Sequence, residues 1–288
     1  MLTPTGFVPG LTLSVDYYNI TVNEAITNAT PGDIIAACFG SITAASATSP
    51  ACTTIRRNPA NGRLSGPSST TFGLPSPLTN NGRLKTDGID LTVDYARQFG
   101  DIGFNFNFTG NWTNSLRFRA SPNSVDRECV GYFSANCGPT LGQIQPEYSF
   151  QQRTTFEVGG ASLSLLWRYM SSVEYEGQAA DFAARGFTAA NRNLFSGTIT
   201  NAGTVQAPVA GQVENFNTID ARSYFDLVAQ FEVMKDFQLT LGVQNLLDSQ
   251  PPIVGSAAGS TGANSGNTFP SSYDPLGRRF SATVRLNF

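Results

Sequence analysis

Apolar and polar residues alternate along much of this chain with a period of two. The clearest run is Ile102-Gly103-Phe104-Asn105-Phe106-Asn107-Phe108-Thr109. The apolar members of this run fall on one side of an extended strand and the polar members on the other, whereas a helix would scatter the phenylalanines around its circumference. The same alternation sets Phe237, Leu239, Leu241 and Val243 against Gln238, Thr240, Gly242 and Gln244. It returns at the end, where Phe280, Ala282, Val284, Leu286 and Phe288 alternate with Ser281, Thr283, Arg285 and Asn287.

Eight segments of this kind lie near 9–26, 84–99, 101–119, 147–158, 161–176, 218–234, 237–248 and 277–288. The first changes phase at Tyr17–Tyr18, which suggests a bulge. Connections alternate between tight and long. Gly100–Asp101, Gly159–Gly160 and Lys235–Asp236 mark tight turns, the first two with glycines suited to positive φ. The loops 27–83, 120–146, 177–217 and 249–276 are rich in Gly, Ser, Asn, Thr and Pro. A compact soluble sandwich seldom carries so many long loops. A membrane barrel has short turns on one side and long loops on the other.

The expected fold is therefore all-β: about eight antiparallel transmembrane β-barrel strands with long extracellular loops. Strand length agrees, since crossing a bilayer takes about 9–11 residues. Tyr95, Trp112, Trp167, Tyr169 and Phe288 are candidates for interfacial aromatic girdles. Asp90, Asp94, Asn105, Asn107, Gln230, Glu232, Gln238, Gln244 and Arg285 would face a hydrated interior. A soluble all-β binding module would present similar side chains on a solvated sheet.

Charged residues make up 14% of the chain, which suits strands half exposed to lipid. Net charge is −3 and no basic cluster exceeds an Arg-Arg pair, so nucleic-acid binding has no electrostatic footprint. No apolar run reaches the length of a membrane helix. The opening MLTPTGFVPG lacks signal-peptide character, so the chain reads as a piece of a longer precursor or a truncated reading frame.

The chain has no histidine, which removes Ser-His-Asp chemistry, HExxH zinc sites and a histidine haem ligand. Gly255–Gly266 has no lysine and no following helix and reads as a flexible loop. Asp87, Asp90 and Asp94 could share acid–base work only if they converged. The reading is non-enzymatic, with no cofactor and no bound metal. Four cysteines fall in two local pairs, Cys38 with Cys52 and Cys129 with Cys137, inside two separate long loops. Two local disulfides fit this placement in an oxidising compartment. Phe39, Tyr132, Phe133, Phe182, Phe187 and Phe195 in the loops could stack on a ligand or pack the loops together.

The segment LTLGVQNLLDSQPPI (239–253), a Gly/Ser/Asn-rich loop and SSYDPLGRRFSATVRLNF (271–288) together resemble the final hairpin of TonB-dependent outer-membrane receptors. GLTLSVDYYNITVNEAI (10–26) and LKTDGIDLTVDYARQF (84–99) are similar to barrel strands of that family. The resemblance implies residence in the Gram-negative outer membrane and energised uptake of a scarce solute of siderophore, cobalamin or oligosaccharide type. It implies a barrel of 22 strands around a plug. Residues 1–288 would then be the C-terminal portion of that barrel with the plug domain absent. Partners implied are outer-membrane lipid, a small-molecule solute, and the plug and TonB through a missing N-terminal part. Phe280 and Phe288 resemble the signal read by the barrel-assembly machinery. A self-contained eight-stranded barrel with a structural or adhesive role is the alternative; it requires the first and last strands to pair.

Overall fold

A computed structural model describes residues 8–29, 31–39, 42–71, 73–134, 137, 143–176, 196–198, 213–215, 218–254, 268–269 and 271–286. Eight long strands carry the fold: β1 (Leu11–Thr27), β2 (Thr79–Phe99), β3 (Ile102–Arg119), β4 (Tyr148–Val158), β5 (Ala161–Met170), β6 (Arg222–Met234), β7 (Phe237–Gln244) and β8 (Arg279–Leu286). Each pairs antiparallel with its sequence neighbour in one path from β1 to β8, and a short strand, Arg127–Glu128, adds to β3.

One register line crosses all eight strands: Leu11, Tyr95, Phe106, Thr154, Leu165, Leu227, Val243 and Phe280. Because the side-chain period is two, fixing this line fixes both faces. The apolar face carries Phe104 against Phe156, with ring centroids 5.2 Å apart, and Trp167 stacked on Phe225 at 5.8 Å. On β2 this face runs from Ile89 to Phe99. That is about 33 Å along a strand at 3.3 Å per residue. At a tilt of about 40° it gives the roughly 25 Å apolar band of an outer-membrane barrel.

Three tight turns close one end of the sheet. At Gly159 and Gly160, φ is 53° and 81°, and Gly100 has φ 61°. Positive φ at two successive residues makes the twist of a two-residue turn match that of its strands, and glycine takes it without a Cβ clash. The expectation for these turns therefore holds.

The phase change at Tyr17–Tyr18 is not a bulge between β1 and β2. Register runs unbroken through Tyr17↔Ile89 and Tyr18↔Gly88, and the irregularity comes later, around Glu24, whose φ is 57°. A bulge does lie one strand over: the β2–β3 register shifts between Asp87 and Gly88, and Gly88 is the partner of Tyr18. Beyond this point Leu84, Leu116 and Phe118 turn toward a small core around Cys129, Cys137 and Ala120. That face becomes apolar because a loop packs on it.

The strand boundaries also tighten. The segment expected at 161–176 ends as a sheet strand at Met170, and that expected at 218–234 begins at Arg222. Val173–Tyr175 and Thr218–Ile219 instead join Tyr132–Ser134 and Gln143–Gln145 in a separate four-stranded sheet. The long loops are thus not structureless.

Among the described residues β1 and β8 do not pair, so the sheet is an open section of barrel wall. The alternative of a self-contained eight-stranded barrel needed that closure. The free edges of β1 and β8 present unpaired N–H and C=O groups, which a bilayer does not tolerate without a partner strand.

Candidate functional site

The loops gather at the end of the sheet opposite the tight turns, over its polar face. Their core contains Phe133, Val173, Ile219, Val254, Phe269 and Tyr273, together with Tyr224 of β6. Met170, Ile144 and Tyr175 pack against it. Three separate loops supply these residues: 120–147, 171–221 and 245–278. Each loop is too polar to hold a core alone, and pooling their few apolar side chains removes enough surface from water to fix all three. Phe133, with no exposed surface, packs the loops together and is not left free to stack on a ligand. Phe39 stays exposed, and Phe182, Phe187 and Phe195 lie outside the described residues.

Polar contacts lock this cap. Arg127 Nη1 donates to Glu176 Oε1 at 2.6 Å, and Ser134 Oγ donates to the other oxygen of Glu176 at 3.0 Å. The Glu128 carboxylate accepts backbone N–H groups of Leu116, Cys129 and Val130 at 2.8, 3.0 and 3.2 Å. Both expected disulfides are present. Cys129–Cys137 is buried in the small core, and Cys38–Cys52 joins α1 (Pro31–Phe39) to α2 (Pro50–Thr53).

The motif around Asn245 works as a clamp at the top of β7. Asn245 is fully buried with φ 50°, and its side chain both donates to Ser249 O (3.0 Å) and accepts from Ser249 N (2.8 Å). Its backbone N–H donates to Asp226 Oδ1 at 2.8 Å. Asp226 also pairs with Arg168, Nη2 to Oδ2, at 3.0 Å. Tyr224 Oη accepts the N–H of Asp274, whose carboxylate pairs with Arg279 at 3.2 Å. Burial holds the Tyr273 hydroxyl above the ordinary phenol range, and the charge of Arg222 offsets part of that rise.

Below this clamp the polar face has the residues expected of it. Asp90, Asp94, Asn105, Asn107, Gln230, Glu232, Gln238, Gln244 and Arg285 all share its parity. Asp90 and Asp94 each accept an asparagine Nδ2 at 2.7 Å, from Asn111 and Asn107. Asp87 accepts Asn114 Nδ2 at 2.8 Å. The three carboxylates are thus taken up singly by β3 and do not converge on an acid–base pair. A cavity of about 340 Å³ opens beside Asp90, Asn111, Ser149, Gln151 and Arg168.

Among the expected girdle residues, Trp167 and Tyr169 flank Phe150, at 4.8 and 4.9 Å between centroids. Tyr95 meets Phe104 at 5.9 Å. Trp112 Nε1 donates to Glu147 at 3.3 Å. Phe280 lies on β8 and is 75% exposed, and Phe288 falls outside the described residues.

Residues 5–246 match the family described as TonB dependent receptor-like, beta-barrel. No curated protein sequence matches the chain. Among solved structures, the copper transporter OprC is 16% identical with a TM-score of 0.47, covering 97% of this chain and 29% of its own. The outer membrane transporter YddB from Escherichia coli is 12% identical with a TM-score of 0.49, covering 96% of this chain and 30% of its own. The siderophore receptor PirA from Acinetobacter baumannii is 13% identical with a TM-score of 0.47, covering 97% and 30%. The chain thus spans about 30% of the length of these structures. With the match at 5–246 covering most of its length, the chain belongs to the TonB-dependent receptor family, as part of the β-barrel.

Proposed function

We propose that this chain is wall and outer loops of an outer-membrane receptor that takes up a scarce solute with energy delivered through TonB. The observation that carries this reading is the two-faced sheet: one face an apolar band, the other polar and capped at one end by a shared loop core. In this reading the apolar face meets lipid, the tight turns face the periplasm and the capped end faces outward. Residues 1–288 are barrel throughout, and the plug and the TonB-contacting segment come from sequence outside them. The open edges of β1 and β8 are completed by the other strands of the larger barrel. The role is non-enzymatic, and the solute is a siderophore, cobalamin or oligosaccharide type.

The disulfides suit loops that face an oxidising exterior. Phe280 and Phe288 act in delivery to the barrel-assembly machinery. The test is accumulation of labelled solutes by Gram-negative cells carrying the full-length protein. Accumulation that falls to background when TonB is deleted is the expected result. Accumulation that persists without TonB would overturn the energised reading.

A further inference from the structure

Arg168 and Arg222 stand close together on the polar face, directly beneath the loop core. Arg168 pairs with Tyr224 across β5 and β6, and Arg222 lies two residues from Tyr224 on the same strand. The two arginines are therefore diagonal cross-strand neighbours, within reach of long side chains. The Arg168 guanidinium sits 5.4 Å from the Tyr224 ring centroid. Two carboxylates stand nearby and both are taken: Asp226 binds Arg168 and Asp274 binds Arg279, while no hydrogen bond or ion pair to Arg222 occurs among the described residues.

Arg168 and Arg222 also each bury an Nε that donates to nothing. A buried donor without an acceptor is costly, and more so when it is charged. Three arginines face two carboxylates here, and the positive charge left unanswered on Arg222 adds to that cost. An oxyanion supplies what is missing, because it accepts hydrogen bonds and brings a further negative charge.

The surroundings extend the description of the ligand. Ser149 and Gln151 of β4 occupy the same register rows as Arg222 and Arg168. With Asn111 they line the cavity of about 340 Å³ in whose wall Arg168 stands. At its far side lies Asp90, on β2, three strands from Arg168. At about 4.8 Å per strand that separation is roughly 14 Å, which places the carboxylate clear of a bound anion and within reach of a hydroxyl on the same ligand.

We infer that this end of the polar face binds an oxyanion carried by a hydroxylated solute, with Arg168 and Arg222 holding the anion and Asp90 accepting a hydroxyl. The inference rests on the uptake reading and names its substrate class. Carboxylate and phosphate share the required chemistry.

The test is calorimetric titration of the full-length protein in detergent with three probes: glucarate, its uncharged counterpart sorbitol, and inorganic phosphate. The expected result is binding of glucarate or phosphate that weakens with added salt, with sorbitol weaker by about tenfold or more. Binding of glucarate alone assigns the site to carboxylates, and binding of phosphate alone to phosphate-type anions; either supports the site. Arg222→Gln should weaken the bound anion by about tenfold, the loss of one charge-assisted contact. Arg222→Lys keeps the charge and should restore part of it. Arg222→Gln serves as the main variant because its removal orphans no carboxylate. Equal binding of sorbitol and glucarate, or unchanged binding by Arg222→Gln, overturns the site.

Accumulation by cells, measured in parallel, separates the two readings. TonB-dependent uptake of some solute with neither anion bound overturns the site and leaves uptake standing. Anion binding without TonB-dependent uptake overturns uptake and leaves the site.

Discussion

Arg127 and Glu176 meet at 2.6 Å with both side chains nearly excluded from solvent, and they join the loop after β3 to the loop after β5. A buried pair of this kind is costly to break and cheap to replace whole. Glu176→Gln should destabilise the cap by about 3 kcal/mol, since it removes one charge of a buried pair and leaves the other in place. The double variant Arg127→Met/Glu176→Leu should lose clearly less. Hydrogen exchange over 127–134 and 173–176 reads both, and equal losses would mean that the charge pair is not what holds the loops.

The disulfide Cys129–Cys137 closes a short segment within the same loop. On the chain-entropy argument a loop of this length contributes about 2.5 kcal/mol. Replacing both cysteines by serine should leave the sheet intact and make the segment around 120–134 sensitive to protease. Protease resistance equal to the native protein would show that the core around Phe118 and Ala120 suffices without the bond.

Tyr18 lies across Gly88 on the neighbouring strand, and its hydroxyl accepts from Asn111 Nδ2 at 3.1 Å. A Cβ at residue 88 would stand 2.4 Å from that hydroxyl and 2.3 Å from the Trp112 carbonyl. Because that carbonyl belongs to the backbone, Gly88→Val must displace β3 as well as Tyr18. It should lower the heat-modifiable folded fraction far more than Tyr18→Phe, which keeps the ring and loses the hydroxyl's contacts with Asn111 and Thr113, worth about 1 kcal/mol each. Similar yields for the two variants would refute the close approach.

Tyr273 sits in the loop core with its hydroxyl buried and without an acceptor. Burial raises its pKa, so folding favours the neutral phenol. The unfolded side chain ionises near pH ~10. The contribution to stability is therefore whole below that pH and is lost as pH rises through the folded-state value. Limited proteolysis should show the cap opening at strongly alkaline pH while β3 to β5 stay protected. Tyr273→Phe should reduce that opening. Unreduced opening in the phenylalanine variant would place the alkaline transition elsewhere.

The sequence by itself determined the strands, their faces and the ends at which they turn. A period of two along Ile102–Thr109 is a local property, and pairing needs only that each apolar face line up with its neighbour. Glycines at 100, 159 and 160 announced the tight turns, and the local spacing of the cysteines announced their partners. What the tertiary structure alone decided is the cap. Val173, Ile219, Val254 and Phe269 are isolated apolar residues in polar loops, with no periodicity to mark them, and they become a core only when three loops meet. The Arg168–Asp226–Asn245 chain joins residues far apart in sequence and depends on the register of β5, β6 and β7. Closure was equally out of reach of the pattern. Alternation says that a strand has two faces, whereas whether β1 meets β8 depends on how many strands share the barrel, a quantity that no single strand encodes.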